Sequence, residues 1–229
     1  MSPQKSPPRR PRQPAPKSPP PRRSGSGAYV ALAVAAVVVV IAVVAVLVTR
    51  SGGDDNSGAG PQTYPVTVTG TALPTMPDPP AADPGIGKPA PTLTGQSLFD
   101  GSAMTITPGG GSPMLVVFVA HWCPHCQREV PLLVQWMASA QKPANLNVVA
   151  VSTANDLSDD NSPASAWLQR EKWPTPVMAD SSDNTAAEAF GLPGYPYLVV
   201  LGPDGTVKAR TSGEKTLDQI TAFVTKALA

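Results

Sequence analysis

After residue 85, short apolar runs alternate with segments whose apolar residues recur every three or four positions. The apolar, β-branched runs predict strands at 104–107, 114–119, 147–152, 177–179, 197–201 and 206–210. The helical spacing predicts helices over 127–140, 162–172 and 183–191, and one that follows Thr216. Strands that alternate with helices and end in a hairpin and a helix describe an α/β domain, a central mixed sheet flanked by helices.

Capping residues set the predicted start of three of these helices. Ser162 is expected to cap the second helix, with Pro163 at its first position. Asp183 and Thr216 are expected to cap the third and fourth helices. The domain is expected to span residues 86–229, and its 144 residues are enough for one hydrophobic core and too few for two.

A long apolar run precedes the domain. Residues 28–48 form 21 uncharged positions, almost wholly Ala and Val. As a helix this run would span roughly 31 Å, which matches a bilayer core of about 30 Å. Lys and Arg lie mainly before it, so the N-terminus is expected to face the cytoplasm. A cleavable signal peptide is the competitor, but no small-x-small site closes the run, which favours an uncleaved single-pass signal anchor.

The segments on either side of this run differ in composition. Residues 1–27 contain nine prolines, seven Lys or Arg and no acid, which predicts a disordered, basic, Pro-rich cytoplasmic tail. Residues 49–85 are rich in Gly, Ser, Asp, Thr and Pro, which predicts a flexible linker. Within the linker, the alternation of residues 64–69 is compatible with an added edge strand.

The charge balance narrows the class of partner. Residues 51–229 carry nine basic and sixteen acidic side chains, a net charge of −7 with His neutral. This balance argues against binding to nucleic acid. The predicted topology places the domain outside the cell membrane, where disulfides persist. Exported protein thiols are therefore compatible partners.

Both cysteines of the chain lie in one motif, Trp122-Cys123-Pro124-His125-Cys126, between a predicted strand and a predicted helix. With Pro124 at the first helical position, Cys123 falls at the N-cap and Cys126 one turn later. Free first-turn amides and the helix dipole favour a thiolate at the N-cap. His125 can add positive charge or a hydrogen bond. The motif therefore predicts that Cys123 is the attacking nucleophile and that Cys126 resolves the mixed disulfide.

The two cysteines have two other possible roles. A purely structural disulfide across so short a loop would constrain little of the unfolded chain. A metal-binding or metal-delivery module is the alternative, because His121 and His125 flank the cysteines. Four ligands so close in sequence do not readily surround one ion, and no second Cys/His pair exists elsewhere in the chain. The redox interpretation is favoured, and exchange between protein thiols requires no cofactor or metal.

Residues 86–229 resemble the thioredoxin fold and, within it, the membrane-tethered extracytoplasmic thiol-disulfide oxidoreductases of the TlpA/ResA type. The matching positions are residues 87–91 with Asp100-Gly101, the strand and motif over residues 117–126, Pro131, and Gly194-Tyr195-Pro196-Tyr197. The resemblance implies a cis proline at Pro196 that faces the cysteines. It also implies that the Tyr195 backbone lies beside Cys123 and pairs with the substrate chain. A further implied partner is a membrane redox protein that exchanges electrons with the pair.

The chain departs from this family at two positions. Thioredoxins carry a buried aspartate, the proton acceptor for the second cysteine, where this chain has Val117, so that proton must go elsewhere. Glu129 is one helical turn beyond Cys126, but it is expected to be a solvated surface carboxylate. The Pro-His dipeptide is similar to that of the periplasmic oxidase DsbA, whereas the scaffold is similar to reductases such as those of cytochrome c maturation. The direction of exchange therefore stays open. A peroxide-reducing peroxiredoxin relative is disfavoured, because those nucleophiles lack a tight Cys-x-x-Cys.

Overall fold

The computed structural model describes residues 62–78 and 82–229. The predicted tail (1–27), the predicted membrane anchor (28–48) and the linker up to residue 61 lie outside the described residues. Among the helices that are described, none combines the length and the hydropathy that a membrane span requires.

The described residues form eight strands and four helices. The strands are β1 (Thr67–Thr69), β2 (Thr92–Ser97), β3 (Ala103–Ile106), β4 (Met114–Val119), β5 (Asn147–Ser152), β6 (Val177–Ala179), β7 (Tyr197–Leu201) and β8 (Val207–Ser212). The helices are α1 (Pro124–Met137), α2 (Ala164–Arg170), α3 (Thr185–Ala189) and α4 (Leu217–Leu228). The bounds predicted for β4, β5, β6 and β7 are confirmed without change.

All eight strands belong to one mixed sheet of order β1-β2-β6-β5-β4-β7-β8, with β3 paired to β2. β4 pairs in parallel with β5 and antiparallel with β7, and β5 pairs in parallel with β6. β4 is therefore a central strand with neighbours on both sides. The predicted α/β fold, a mixed sheet with helices on its faces, is confirmed for the described residues.

Alternate residues of β4 build the two halves of the core. Leu115 and Val117 join the layer that also contains Trp136 of α1. Val116 and Phe118 point to the opposite face, as expected from the two-residue period of a strand. β4 is fully apolar because both of its faces are covered. The start of α1 follows the end of this buried strand, which fixes its position.

The predicted linker is corrected over its described part, because residues 62–78 and 82–85 pack onto the domain. β1 pairs with β2, and Leu73 and Met76 are buried in the same core layer as Phe118. The backbone amides of Leu73 and Met76 donate to the carbonyls of Ala189 and Gly191 at 2.8 and 2.9 Å. The apolar residues that bury this segment are spaced too widely to form a recognisable pattern, which is why composition alone suggested a tether.

Two predicted helix starts also need correction. Pro163 is the N-cap of α2 with an extended backbone (ψ 151°), so α2 begins at Ala164, without a side-chain cap from Ser162. The N-cap of α3 is Asn184, not Asp183. The first-turn amides of α3 instead donate to a carboxylate in the preceding loop, that of Asp180, at 2.8 and 3.1 Å. The predicted Thr216 cap of α4 is confirmed.

Candidate active site

The end of β4 and the start of α1 place the two cysteines as the motif predicted. Cys123 is the N-cap of α1 (φ −74°, ψ 118°), and Pro124 follows at the first helical position. The Cys123 amide donates to the Ala120 carbonyl at 3.1 Å, and the Cys123 carbonyl accepts from Gln127 at 3.0 Å. These bonds close the turn and start the helix, so the Cys123 sulfur lies at the helix N-terminus.

The two thiols differ in exposure and in acidity. Both are free thiols; Cys123 is 6% exposed and Cys126 is completely buried. Burial raises the pKa of Cys126 well above the ordinary value of a thiol, and negative charge on Cys123 and Glu129 acts in the same direction. An incoming disulfide can therefore reach Cys123 only, and Cys126 needs a proton acceptor before it can act.

Tyr195 of the predicted substrate groove lies against the cysteine motif. The Tyr195–Pro196 peptide bond is cis, as the resemblance implied. The Trp122 indole packs edge-on against the Tyr195 ring, with 5.8 Å between centroids, and its Nε1 donates to the Ala154 carbonyl at 2.8 Å. A groove of about 500 Å³ extends from His125 and Tyr195 along residues 213–216 to α4.

The prediction that Glu129 is a solvated surface residue is wrong. Glu129 is completely buried, and neither carboxylate oxygen accepts a hydrogen bond of ordinary geometry from the described residues. Burial raises its pKa to about 8, although the charge and backbone of Lys215 lower it. Cys126 and Glu129 are three residues apart on α1, and the pKa of Cys126 responds to the charge on Glu129. Glu129 is therefore a candidate acceptor for the Cys126 proton, the role that the buried aspartate has in thioredoxins and that Val117 cannot take.

The raised pKa of Glu129 makes stability depend on pH. Because folding favours the neutral carboxyl, its stabilising contribution is complete below the ordinary pKa of 4.5 and is lost as pH rises through about 8. We expect the free energy of unfolding to fall by on the order of 2 kcal/mol between about pH 6 and pH 8. Urea unfolding at both pH values measures this fall. Glu129→Gln should remove it and the exposed control Glu188→Gln should keep it; a fall that persists in Glu129→Gln would contradict the assignment.

The structure does not bring His121 and His125 together with the cysteines as a ligand set. His121 is buried, its Nδ1 lies 2.8 Å from the Asp160 carbonyl, and its Nε2 accepts from the Asp156 amide at 3.2 Å. His125 is on the surface, with its side chain 59% exposed. Within residues 62–78 and 82–229, no group of three or more His, Cys, Asp or Glu is arranged to hold a metal ion. The described residues therefore offer no ligand set for the metal-binding alternative.

An ionic cluster of His125, Arg128 and Glu214 lies next to the motif. Glu214, from the connection between β8 and α4, accepts from Arg128 Nε at 2.9 and 3.0 Å and from Arg128 Nη2 at 2.6 Å. His125 Nδ1 lies 2.9 Å from the same carboxylate. The hydrogen bond from Arg128, with that from His125, lowers the pKa of Glu214 to about 2. Glu214 is therefore an anion at every physiological pH.

Sequence reasoning missed these two acids for different reasons. Glu129 continues the buried stripe of α1 through Cys126, Val130 and Leu133, so its spacing carried a signal that its charge obscured. Glu214 is 86 residues from Arg128 in the chain, and no local pattern indicates that contact.

A mixed sheet whose central strand leads into a helix capped by the first cysteine of a Cys-x-x-Cys defines a dithiol protein of the thioredoxin-like fold. More particularly, the chain belongs to the AhpC/TSA family, whose model matches residues 86–210, more than half of the chain.

Comparison with known proteins gives partial matches to redox proteins. The chain is 29% identical over 126 residues to Probable nucleoredoxin 3 of Oryza sativa subsp. japonica. The match covers 54% of this chain and 26% of that protein. It is 26% identical over 116 residues to the protein disulfide-isomerase of Hordeum vulgare, and this match covers 51% of this chain and 17% of that protein. The chain thus matches about a quarter or less of the length of these relatives.

A solved structure gives a similar result for the fold. A thiol:disulfide interchange protein of the thioredoxin family from Chlorobium tepidum TLS superposes with a TM-score of 0.51. It is 23% identical, and the match covers 62% of this chain and 97% of that one. This similarity shows that the fold is thioredoxin-like.

Proposed function

We propose that this chain is a thiol-disulfide oxidoreductase in which Cys123 and Cys126 exchange a disulfide with other proteins. The observation that carries the proposal is the arrangement of the pair. A slightly exposed thiol is at the N-cap position of α1, and a completely buried thiol lies one turn behind it. An open groove lined by His125 and Tyr195 adjoins the motif. Membership of the AhpC/TSA family and similarity to nucleoredoxins and a protein disulfide-isomerase support the same chemistry.

The exchange has two steps that balance in bonds and electrons. In the reducing direction, the Cys123 thiolate attacks a substrate disulfide, the substrate S–S bond breaks, and one substrate sulfur leaves as a thiolate. The Cys126 sulfur, once deprotonated, attacks Cys123 Sγ, and the second substrate sulfur leaves. The pair loses two electrons and becomes a disulfide, and the substrate gains two electrons and binds two protons. The oxidising direction is the reverse.

Glu129 serves the second step. A carboxyl group with a pKa of about 8 is present in both protonation states near neutral pH, so it can accept the Cys126 proton and return it in the reverse reaction. Glu129 is buried and makes no ordinary hydrogen bond among the described residues, and the charge and backbone of Lys215 stabilise its carboxylate form. Trp122 and Tyr195 pack against each other and against the core cluster that contains Cys123.

The cellular setting is also a proposal. The apolar run over residues 28–48 and the basic residues before it favour a single-pass anchor with a cytoplasmic N-terminus, as in the TlpA/ResA type. The domain would then act on exported proteins, in the groove beside Tyr195 and Pro196. As a reductase it would need a membrane redox partner that supplies electrons.

Transfer of a disulfide from insulin tests the proposed function. Reduced full-length protein mixed with insulin should lose two hydrogens per chain by mass spectrometry, as Cys123 and Cys126 become a disulfide. Cys126→Ser should accumulate a mixed disulfide with an insulin chain, and Cys123→Ser should do neither. An unchanged wild-type mass would contradict the proposal. Oxidation by hydrogen peroxide without any transfer from insulin would instead favour a peroxide-reducing relative.

A further inference from the structure

Glu214 joins two elements that are far apart in sequence. It lies in the connection between β8 and α4 and binds Arg128 and His125, both on the first two turns of α1. The pairing with Arg128 involves both carboxylate oxygens, a geometry that fixes the guanidinium as well as attracting it. The side chain of Glu214 is 31% exposed, so the carboxylate is held at the rim of the active-site groove.

The two residues that Glu214 binds lie near Cys123 on α1. His125 stands between the cysteines in the chain, and Arg128 follows one turn later on α1. Negative charge on Cys123 raises the pKa of Arg128, although the hydrogen bond to Glu214 is the larger cause. The guanidinium and the sulfur therefore interact electrostatically across the helix N-terminus.

Cations near the first cysteine favour the reduced protein, because they stabilise its thiolate, and this makes a disulfide more oxidising. An unpaired Arg128 beside the Cys-Pro-His-Cys motif would therefore make the pair more oxidising. Glu214 opposes this effect with a full negative charge on the same two side chains. Lys215, the next cation along the chain, donates instead to the Ser212 and Gly213 carbonyls.

We infer that Glu214 is a positioning residue that lowers the reduction potential of the Cys123–Cys126 pair by neutralising Arg128, with His125 Nδ1 in contact with both side chains. The inference rests on the proposed function and deepens it, since it names a residue that shifts the potential of the pair in the reducing direction. Glu214 contacts neither sulfur in the structure and acts through the charges it binds.

Equilibration with glutathione measures the potential directly. The reaction is protein disulfide plus two glutathione, giving protein dithiol plus glutathione disulfide, and the chain has only two cysteines to report. The measurement is made at about pH 8, where an imidazole is ordinarily neutral. Wild type and Glu214→Gln then differ by one unit of charge. We expect Glu214→Gln to raise the equilibrium constant about threefold, which is about 14 mV toward a more oxidising pair.

Matched variants separate this electrostatic role from a structural one. Arg128→Gln should shift the equilibrium constant in the opposite direction, because it leaves the Glu214 anion beside Cys123. The double variant Arg128→Gln/Glu214→Gln should return close to the wild-type value. Glu188→Gln, an exposed change of the same charge on α3, should leave the constant unchanged. All shifts should shrink as salt is added, because the cluster is exposed.

The outcomes distinguish this inference from the proposed function. Opposite shifts in the two single variants, cancelled in the double variant, support it. Shifts in the same direction, or none, would overturn it while leaving disulfide exchange intact. No exchange with glutathione in the wild-type protein would overturn the proposed function, and this inference with it.

Discussion

Replacing Glu129 with Gln should slow the second step of disulfide exchange about a hundredfold at neutral pH, the usual range for loss of a general base. The thiol of Cys126 is completely buried and its pKa is strongly raised, so its proton has to pass to a nearby group before the sulfur can attack Cys123. Glu129 is the buried carboxylate on the same helix face, and a Gln side chain of the same shape cannot accept that proton.

Reaction with dithiobis-nitrobenzoate resolves the two steps. The first thionitrobenzoate is released when Cys123 attacks, and the second when Cys126 closes the disulfide. In Glu129→Gln the second phase should slow while the first stays within a few-fold of wild type, and Glu188→Gln should change neither. The wild-type second phase should accelerate as pH rises through about 8, where Glu129 becomes a carboxylate. Two phases slowed equally, or a second phase unaffected, would contradict the role.

Most of the fold that supports this chemistry could be predicted from local patterns. β4 has neighbours on both sides and both faces covered, so its sequence is a continuous apolar run whose limits are visible by inspection. Pro124 after Cys123 also predicts the start of α1 from local sequence, because proline is best tolerated in the first turn of a helix. The N-terminal segment was missed because Leu73 and Met76 are isolated apolar residues whose burial depends on distant parts of the fold.

The active site was predictable only where its residues adjoin in sequence. Cys123 and Cys126 were found from their spacing, and Pro196 from a family resemblance. A charged residue is almost never fully buried without a partner, so the general rule places Glu129 at the surface. Functional sites are where such rules fail, and Glu129 is buried without an ordinary hydrogen bond. The contact of Glu214 with Arg128 is set by how β8 and α4 approach α1, which depends on tertiary structure.

Replacing Arg210 with Met should destabilise the domain by about 3–5 kcal/mol, the range expected when one member of a buried ion pair is removed. The Arg210 side chain is completely buried on β8 and forms a two-pronged ion pair with Asp83, whose Oδ2 accepts from Nε at 2.7 Å. Its Nη1 also donates to the Pro74 and Phe190 carbonyls at 2.9 and 3.2 Å. Met fills similar volume but leaves a buried carboxylate without its partner.

The matched control for Arg210→Met is Lys208→Met on the same strand, whose ion pair with Asp204 is exposed and should contribute about 0–1 kcal/mol. Guanidinium unfolding measures both variants, and Asp83→Leu added to Arg210→Met should recover part of the loss, because it removes the stranded charge. Limited proteolysis should cut the Arg210→Met protein between residues 74 and 85 before global unfolding, since Arg210 ties this segment to β8. Equal stability of the Arg210 and Lys208 variants would mean that Asp83 reaches solvent when Arg210 is lost, so that the segment is anchored by Leu73 and Met76 alone.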